Sequence, residues 1–273
     1  MKVALIASHA DPASMNLKER LLELFDFKKN DEEFEGSKVF SYKNFKLYTR
    51  KEKNIHAEGI DKKIEADFFV FLTRHIAKDK VPAITCHVPG NFGAAEYGGK
   101  EKTLGMGSAV YLKELFKEIN KVAAERKFEK KITLEVTHHG PCLEKPCLFI
   151  EVGSSAEHWQ DKDSAEADAI ALINTFSREY DATKYKIAIG FGGQHYPGPF
   201  NRRLLTTNIA LCHICPKYAL KFLDKNMVLE MVKKTKEKVD FALVDWKGLG
   251  IEKQRVVKAI EEAGLEIVRT EKV

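Results

Sequence analysis

The sequence is short of the features that mark a secreted or membrane protein. Its five cysteines are an odd number in a chain of 273 residues, so no disulfide framework is expected. Apolar runs are brief. Phe68–Leu72 is among the longest, far below the roughly 20 residues that a membrane-crossing helix needs. The opening MKVALIASHADP meets a charge and a proline too soon for the core of a secretory signal. Neither a Walker A sequence nor a dinucleotide fingerprint is present, which argues against an NTPase or a nicotinamide-dependent dehydrogenase. Neither sign of charge dominates: 45 Lys and Arg stand against 40 Asp and Glu, a net +5. That mild excess permits a polyanionic partner without demanding one. A cytoplasmic protein is expected.

Hydrophobic residues make up 44% and charged residues 31%, the profile of a chain that buries a core and stays in solution. Lys and Glu sit side by side on the expected helices, a pattern that also suits the surface ion-pair networks of heat-adapted proteins. Apolar runs at 2–8, 66–75, 83–88, 131–139, 147–154, 185–193, 240–246 and 265–270 read as strands, with one or two more within 38–48. Amphipathic helices are expected at 14–26, with Ser14 as a possible cap, and at 108–127, 163–180, 227–238 and 251–263. Near-continuous apolar strands between such helices mean a sheet covered on both faces. The expectation is a three-layer α/β/α sandwich with a mostly parallel sheet. No low-complexity linker or repeat divides the chain, so 1–273 reads as one domain with elaborated loops at 88–108 and 192–203.

In open α/β sheets, ligands sit outside the carboxyl ends of the strands, and polar residues collect there in this chain. His75, His87, the doublet His138-His139 and His195 all stand at strand exits. A lone strand-end histidine is usually structural, and His75 or His87 taken singly would pass as that. Several converging from separate strands point to a site, because histidine is both the commonest metal ligand and the usual general base near neutral pH. The doublet in THHGP is the centre of this reading, with Gly140 placed to turn the backbone so that both rings reach one cleft. Glu151 lies inside the apolar run CLFIEVGS, and a buried carboxylate needs a partner. It is a metal ligand, a support for a histidine, a general base, or half of an ion pair.

Two glycine-rich loops follow strands. The segment 88–108 is long enough to be a binding loop or lid, and its Ser108 opens a helix that could hold an anion, capping being the plainer role. The segment 192–203 carries His195 between glycine and proline turns and ends in Arg202 and Arg203, which suit phosphate contacts. The cysteine pairs 212/215 and 142/147 read as buried thiols rather than a zinc knuckle. The segment 232–239 reads as a solvated helix face that could add to a basic surface for RNA.

Five motifs in order, DPAS (11–14), THHGP (137–141), EVGSSAEHW (151–159), GGQHYPGPF (192–200) and HICPKYAL (213–220), resemble the archaeal and plant type of D-aminoacyl-tRNA deacylase, nearly end to end. The resemblance implies a zinc-dependent hydrolase that cuts the ester between a D-amino acid and the terminal ribose of tRNA. It also implies a sandwich related in shape to peptidyl-tRNA hydrolases and nucleoside phosphorylases. The family pattern maps onto His138, His139, Glu151, Gly153, Trp159, His195, Tyr196, His213, Pro216 and Lys217. Cys215 stands where an aliphatic residue is expected, which further weakens a Cys-x-x-Cys site.

On residue chemistry, His138, His139, Glu151 and His195 are assigned to zinc and water activation, with His213 and His75 as further candidate ligands. Tyr196 is the candidate for stacking on the terminal base, and Lys217, Arg202, Arg203 and Ser108 for holding the substrate. A single chain acting on the acceptor end of tRNA, away from membranes, is expected. Two alternatives stay open: a zinc amidohydrolase or carboxypeptidase for small molecules, and a tRNA-binding module without turnover.

Overall fold

A computed structural model of the protein describes residues 1–78 and 80–273. The first strand, β1 (Val3–Ser8), is buried along its whole length. It leads into α1 (Pro12–Leu24), whose cap is Asp11 rather than Ser14: the Asp11 carboxylate accepts from the Ala13 and Ser14 amides. A meander follows, β2 (Lys28–Phe34), β3 (Ser37–Tyr42) and β4 (Phe45–Arg50). Then come β5 (Phe68–Ile76) and β6 (Ala83–His87). The long loop folds on itself as a small ribbon, β7 (Gly90–Asn91) with β8 (Thr103–Leu104), ahead of α2 (Ala109–Glu125). The next elements are β9 (Lys131–Leu134), β10 (Cys147–Ser154), α3 (Lys162–Phe176) and β11 (Lys186–Phe191). The chain closes with α4 (Gly198–Thr206), β12 (Ile209–Cys215), α5 (Lys225–Lys233), β13 (Phe241–Val244), α6 (Lys253–Glu262) and β14 (Glu266–Arg269).

These strands build a large mixed sheet in the order β2-β3-β4-β1-β5-β10-β6-β9 and a second sheet in the order β12-β11-β13-β14. In the large sheet β4-β1, β1-β5, β5-β10 and β6-β9 run parallel, and the meander and β10-β6 antiparallel. The second sheet is parallel throughout. The sequence pattern predicts one sheet; the strands divide because α2 packs against β6 and β9 on one hand and β12 and β11 on the other. Its buried side chains, including Val110, Leu112, Leu115, Phe116, Ile119 and Val122, spread beyond a single stripe, as a helix shared between two layers requires. One hydrophobic core runs through both sheets, from Leu5 and Phe68 to Ile189 and Leu243. Helices α1 and α3 pack together beside β1, β5 and β10. The opposite side of these strands, with Ile6, Phe69, Phe71 and Phe149, is covered by Ala57, Ile60, Ile64 and Ala66 from a segment of short 3-10 turns. Among the described residues no helix is long and apolar enough to cross a membrane.

Other boundaries shift for local reasons. The strand expected at 131–139 ends at Leu134, freeing the five residues after it from the ladder's strict alternation. The expected loop at 192–203 contains the start of α4, entered through Gly198-Pro199. The stretch between the loop at 192–203 and the helix expected at 227–238, where no strand is expected, holds β12, every residue of which is buried. Its Cys212 and Cys215 are buried free thiols at a register shift against β11, and neither belongs to a metal-ligating group among the described residues.

Candidate active site

The sheet brings five histidines and two carboxylates to one place. β5 delivers His75 and β6 His87, both buried, and β10 delivers the buried Glu151. The chain leaving β9 supplies Glu135, His138 and His139, and the turn after β11 supplies His195. β10 lies between β5 and β6, with Gly153 paired to His75 and Phe149 to His87. A side chain at Gly153 would stand 2.4 Å from the His75 carbonyl, so glycine permits this approach. That carbonyl accepts a hydrogen bond from Trp159 Nε1 at 2.9 Å. Phe149 stacks on the His87 ring with centroids 5.3 Å apart. The His138 and His139 rings do share one cleft, 4.4 Å apart. The turn begins at His139 itself, whose φ is 46°, one residue before Gly140.

Hydrogen bonds fix the protons. His138 donates Nδ1–H to the Val136 carbonyl at 2.8 Å and His139 donates Nδ1–H to the Gly140 carbonyl at 2.7 Å. With Nδ1–H committed to a carbonyl, a neutral imidazole presents a lone pair at Nε2. These lone pairs face carboxylates: His138 Nε2 lies 3.5 Å from Glu135 Oε2, and His139 Nε2 3.8 Å from Glu151 Oε1. His87 directs Nδ1 to the Val88 carbonyl and holds Nε2 3.3 Å from Glu151 Oε1. Acceptor facing acceptor in a buried site calls for a positive charge between them.

Ionisation follows the same logic. Burial opposes a charge on His75, but Glu135 and Glu151, at 2.9 and 3.4 Å from Nδ1, outweigh it and push its pKa up to about 11. Its Nε2 meets the Tyr196 hydroxyl at 2.6 Å. With its pKa raised, His75 sits as the partner of two carboxylates with both ring nitrogens engaged. Burial raises the pKa of Glu135, yet hydrogen bonds from His195 and His75 hold it well below the ordinary carboxylate range. Glu151 is likewise lowered: burial and the charge of Glu135 push it up, and His139, His75 and His87 more than offset them. Burial, with the neighbouring His87 and His139, keeps His138 neutral, well below the usual histidine range. Two carboxylates against one histidine of raised pKa leave a negative charge to balance. For His87 burial is again the largest influence and opposes protonation, but Glu151 outweighs it and raises the pKa. Protonation is therefore easier at His87 than at an ordinary imidazole.

Three sets offer ligand atoms within 4.8 Å of one another: His87, His138 and His139; Glu135, His138 and His195; and His75, Glu135 and Glu151. Glu135 Oε1 is buried without a well-directed hydrogen bond, while its Oε2 accepts from His195 Nε2 at 2.6 Å. Two cavities meet at this cluster. One, of about 480 Å³, is walled by Ile55, Arg74, His75 and Ile76; the other, of about 520 Å³, by Phe92, Tyr218, Lys221 and Phe222. Tyr97, His138, His139 and His195 line both.

The cluster unites His75, His138, His139, Glu151 and His195 of the residues singled out in the sequence. It leaves out His213, which is buried beneath with its ring nitrogens toward Thr137 Oγ1 and the Lys234 carbonyl. Ser108 caps α2, accepting from the Tyr111 amide and donating to Glu237. Lys217 extends along Gly250. Arg202 and Arg203 line a separate cavity with Asp245 and Lys247. Tyr196 orients His75 and lies under the Lys131 ammonium, 3.7 Å from its ring centroid, so it supports the site rather than lining either cavity. Glu135 was not selected from the sequence, and His87, named there among the converging strand-exit histidines, was given no role of its own. Glu135 carries the same signal as Glu151, a carboxylate set between apolar residues.

Comparison with known proteins places this geometry in context. The family model for D-aminoacyl-tRNA deacylase matches residues 62–268. A protein of Thermococcus onnurineus named D-aminoacyl-tRNA deacylase is 38% identical over 277 residues, covering 98% of this chain and all of its own. Its namesake in Archaeoglobus fulgidus is 33% identical, with 98% and 96% covered. A crystal structure described only as a conserved protein of unknown function superposes with a TM-score of 0.90 at 32% identity, covering 100% of this chain and 96% of that one.

Proposed function

The chain belongs to the D-aminoacyl-tRNA deacylase family, and from that premise we propose how its residues hydrolyse the ester of D-aminoacyl-tRNA, releasing free tRNA and a D-amino acid. The observation that carries the reading is the set of imidazole lone pairs turned toward buried carboxylates with too few protons to separate them.

That arrangement fits zinc. His87, His138 and His139 would hold the ion, with Nδ1–H of each on a backbone carbonyl, the usual support of a metal-bound histidine. Three histidines and an open position are a common catalytic zinc set. Bound there, zinc would polarise the ester carbonyl and make water a better nucleophile near neutral pH.

The chain's own residues handle the proton. His195 gives its Nε2–H to Glu135, which leaves Nδ1 to take a proton from the attacking water and pass it to the departing ribose oxygen. His75, charged between Glu135 and Glu151, keeps both carboxylates ionised and in place. The cavity walled by Ile55 and Ile76 takes the aminoacyl group, where the placement of its amine and side chain selects the D form. Every group named comes from one chain, so a single copy suffices. Its place is the cytoplasm, where aminoacyl-tRNA is used.

The test compares D-tyrosyl-tRNA with L-tyrosyl-tRNA, using zinc-loaded and chelator-stripped protein. Hydrolysis of the D ester alone, lost on stripping and regained with zinc, is the expected result. Equal loss of both esters would remove the chiral role. Full activity in protein shown to be metal-free would remove the zinc.

A further inference from the structure

We propose that the cavity on the loop side of the histidines binds the unpaired 3′-terminal nucleotides of tRNA, with Tyr97, Tyr218 and Phe222 as stacking platforms for their bases. The inference rests on the deacylase reading for the identity of its ligand and on the following geometry for its position.

Among the described residues, three aromatic side chains are counted with the exposed large hydrophobics: Tyr97 at 66%, Tyr218 at 56% and Phe222 at 40%. All three line the same cavity, of about 520 Å³. The other ring-bearing hydrophobics of the chain are at least partly covered, so this concentration is local. Exposed rings gathered in one concave place mark a binding surface.

The cavity shares the wall of His138, His139 and His195 with the aminoacyl cavity. An ester lying across that wall has a nucleotide on one side and an amino acid on the other, which is the chemistry of a charged tRNA end. Lys221, its ammonium 4.9 Å from the Phe222 ring centroid, sets a positive charge beside the rings for a phosphate. Single-stranded nucleic acid is held by this pairing of cations with aromatic faces, and stacking tolerates any base.

The platform is preformed. Tyr218 and Phe222 belong to the 3-10 turn Lys217–Phe222, whose following carbonyl, Leu223, accepts from Arg255 at 2.7 Å. Gly93 lies flat against Phe222: a Cβ there would stand 2.8 Å from the ring. The loop therefore packs on the ring without covering it.

The probe is the trinucleotide CpCpA, titrated against wild-type protein and the variants Tyr218→Leu, Phe222→Leu and Tyr218→Phe, each checked for an unchanged melting temperature. The wild type and Tyr218→Phe are expected to bind alike, while each Leu variant weakens binding roughly tenfold or more. The same variants should raise KM for D-tyrosyl-tRNA by a similar factor. Equal binding by wild type and Leu variants would overturn the assignment. So would equal binding of an abasic ribose-phosphate trimer, or failure of wild-type protein to bind CpCpA, which would return the surface to a protein partner. Should a Leu variant fail to fold, the comparison of CpCpA with the abasic trimer on wild-type protein decides. Wild-type protein that binds CpCpA in this ring-dependent way yet leaves D-tyrosyl-tRNA intact would refute the deacylase reading and leave the subsite standing.

Discussion

Oε2 of Glu135 stands 2.6 Å from Nε2 of His195, and the carboxylate is buried while the imidazole reaches the junction of two cavities. The pair has the build of a general base and the group that orients it. A charged acceptor at Nε2 selects the tautomer whose Nδ1 can take a proton, and stabilises the imidazolium once it has.

Glu135→Gln tests that relationship. Glutamine keeps the volume but brings no charge and can turn a donor toward the ring. A fall in kcat of roughly 10²- to 10⁴-fold is expected, with KM for D-tyrosyl-tRNA little changed. His195→Ala should fall as far, and the double variant hardly further, because the two act as a unit. Single-turnover hydrolysis separates this from product release. A rate near wild type in either single variant would dismiss the pair from the proton transfer.

Zinc retention is expected to depend on His87 and His138. Each Ala variant should purify with its zinc content sharply reduced, measured by elemental analysis, and hydrolysis should fall in proportion. Metal that binds only the folded site also stabilises it by mass action, so chelation should lower the melting temperature of wild-type protein and do little to the variants. Unchanged metal content in both variants would place the ion elsewhere.

Acid should destabilise the fold through His213. Burial, the leading cause, lowers its pKa from 6.5 to about 4. The sign follows from proton counting: between these values the unfolded chain binds a proton that the folded one refuses, so stability falls as pH drops from about 6.5 to 4. At about 1.4 kcal/mol per pKa unit, the full span is on the order of 3 kcal/mol. Denaturant midpoints at pH 7 and pH 4.5 for wild type and His213→Gln measure it. The variant should lose less on acidification, and parallel losses would show that other groups set the dependence.

The legibility of this site in the sequence had a physical limit. β1, β5, β6 and β10 were readable because strands buried on both faces must be apolar throughout, and their ends then display His75, His87 and Glu151 as exceptions. β2, with the sequence KKNDEEF, is a solvent-facing edge and carries no such pattern. β12 was hidden because His213 drew attention as a ligand, although a strand of seven buried residues accounts for it and for the buried thiols beside it. Glu135 was missed as part of an expected strand, whereas leaving the ladder after Leu134 is what lets it face His75 and His195. Which aromatic rings would stay exposed depends on how two loops meet, and no local pattern encodes that.

Asp11 joins the first loop to the site, and its removal should cost more than a helix cap. Its Oδ1 accepts from the Ala13 and Ser14 amides, while Oδ2 accepts from Thr73 Oγ1 at 2.7 Å and the Arg74 amide at 3.0 Å. Loss of a cap costs about 1 kcal/mol, and stranding buried donors adds roughly 1–3 kcal/mol. Asp11→Ala should therefore destabilise by about 2–4 kcal/mol in urea titration. Asp11→Asn retains one acceptor but turns an amide N–H toward donors, so it can serve the helix or the strand and not both; its loss should be intermediate. Because Arg74 precedes His75, activity should fall in the Ala variant even where it is fully folded. A cost of only about 1 kcal/mol, equal to the cap alone, would mean that the tie to β5 adds nothing to stability.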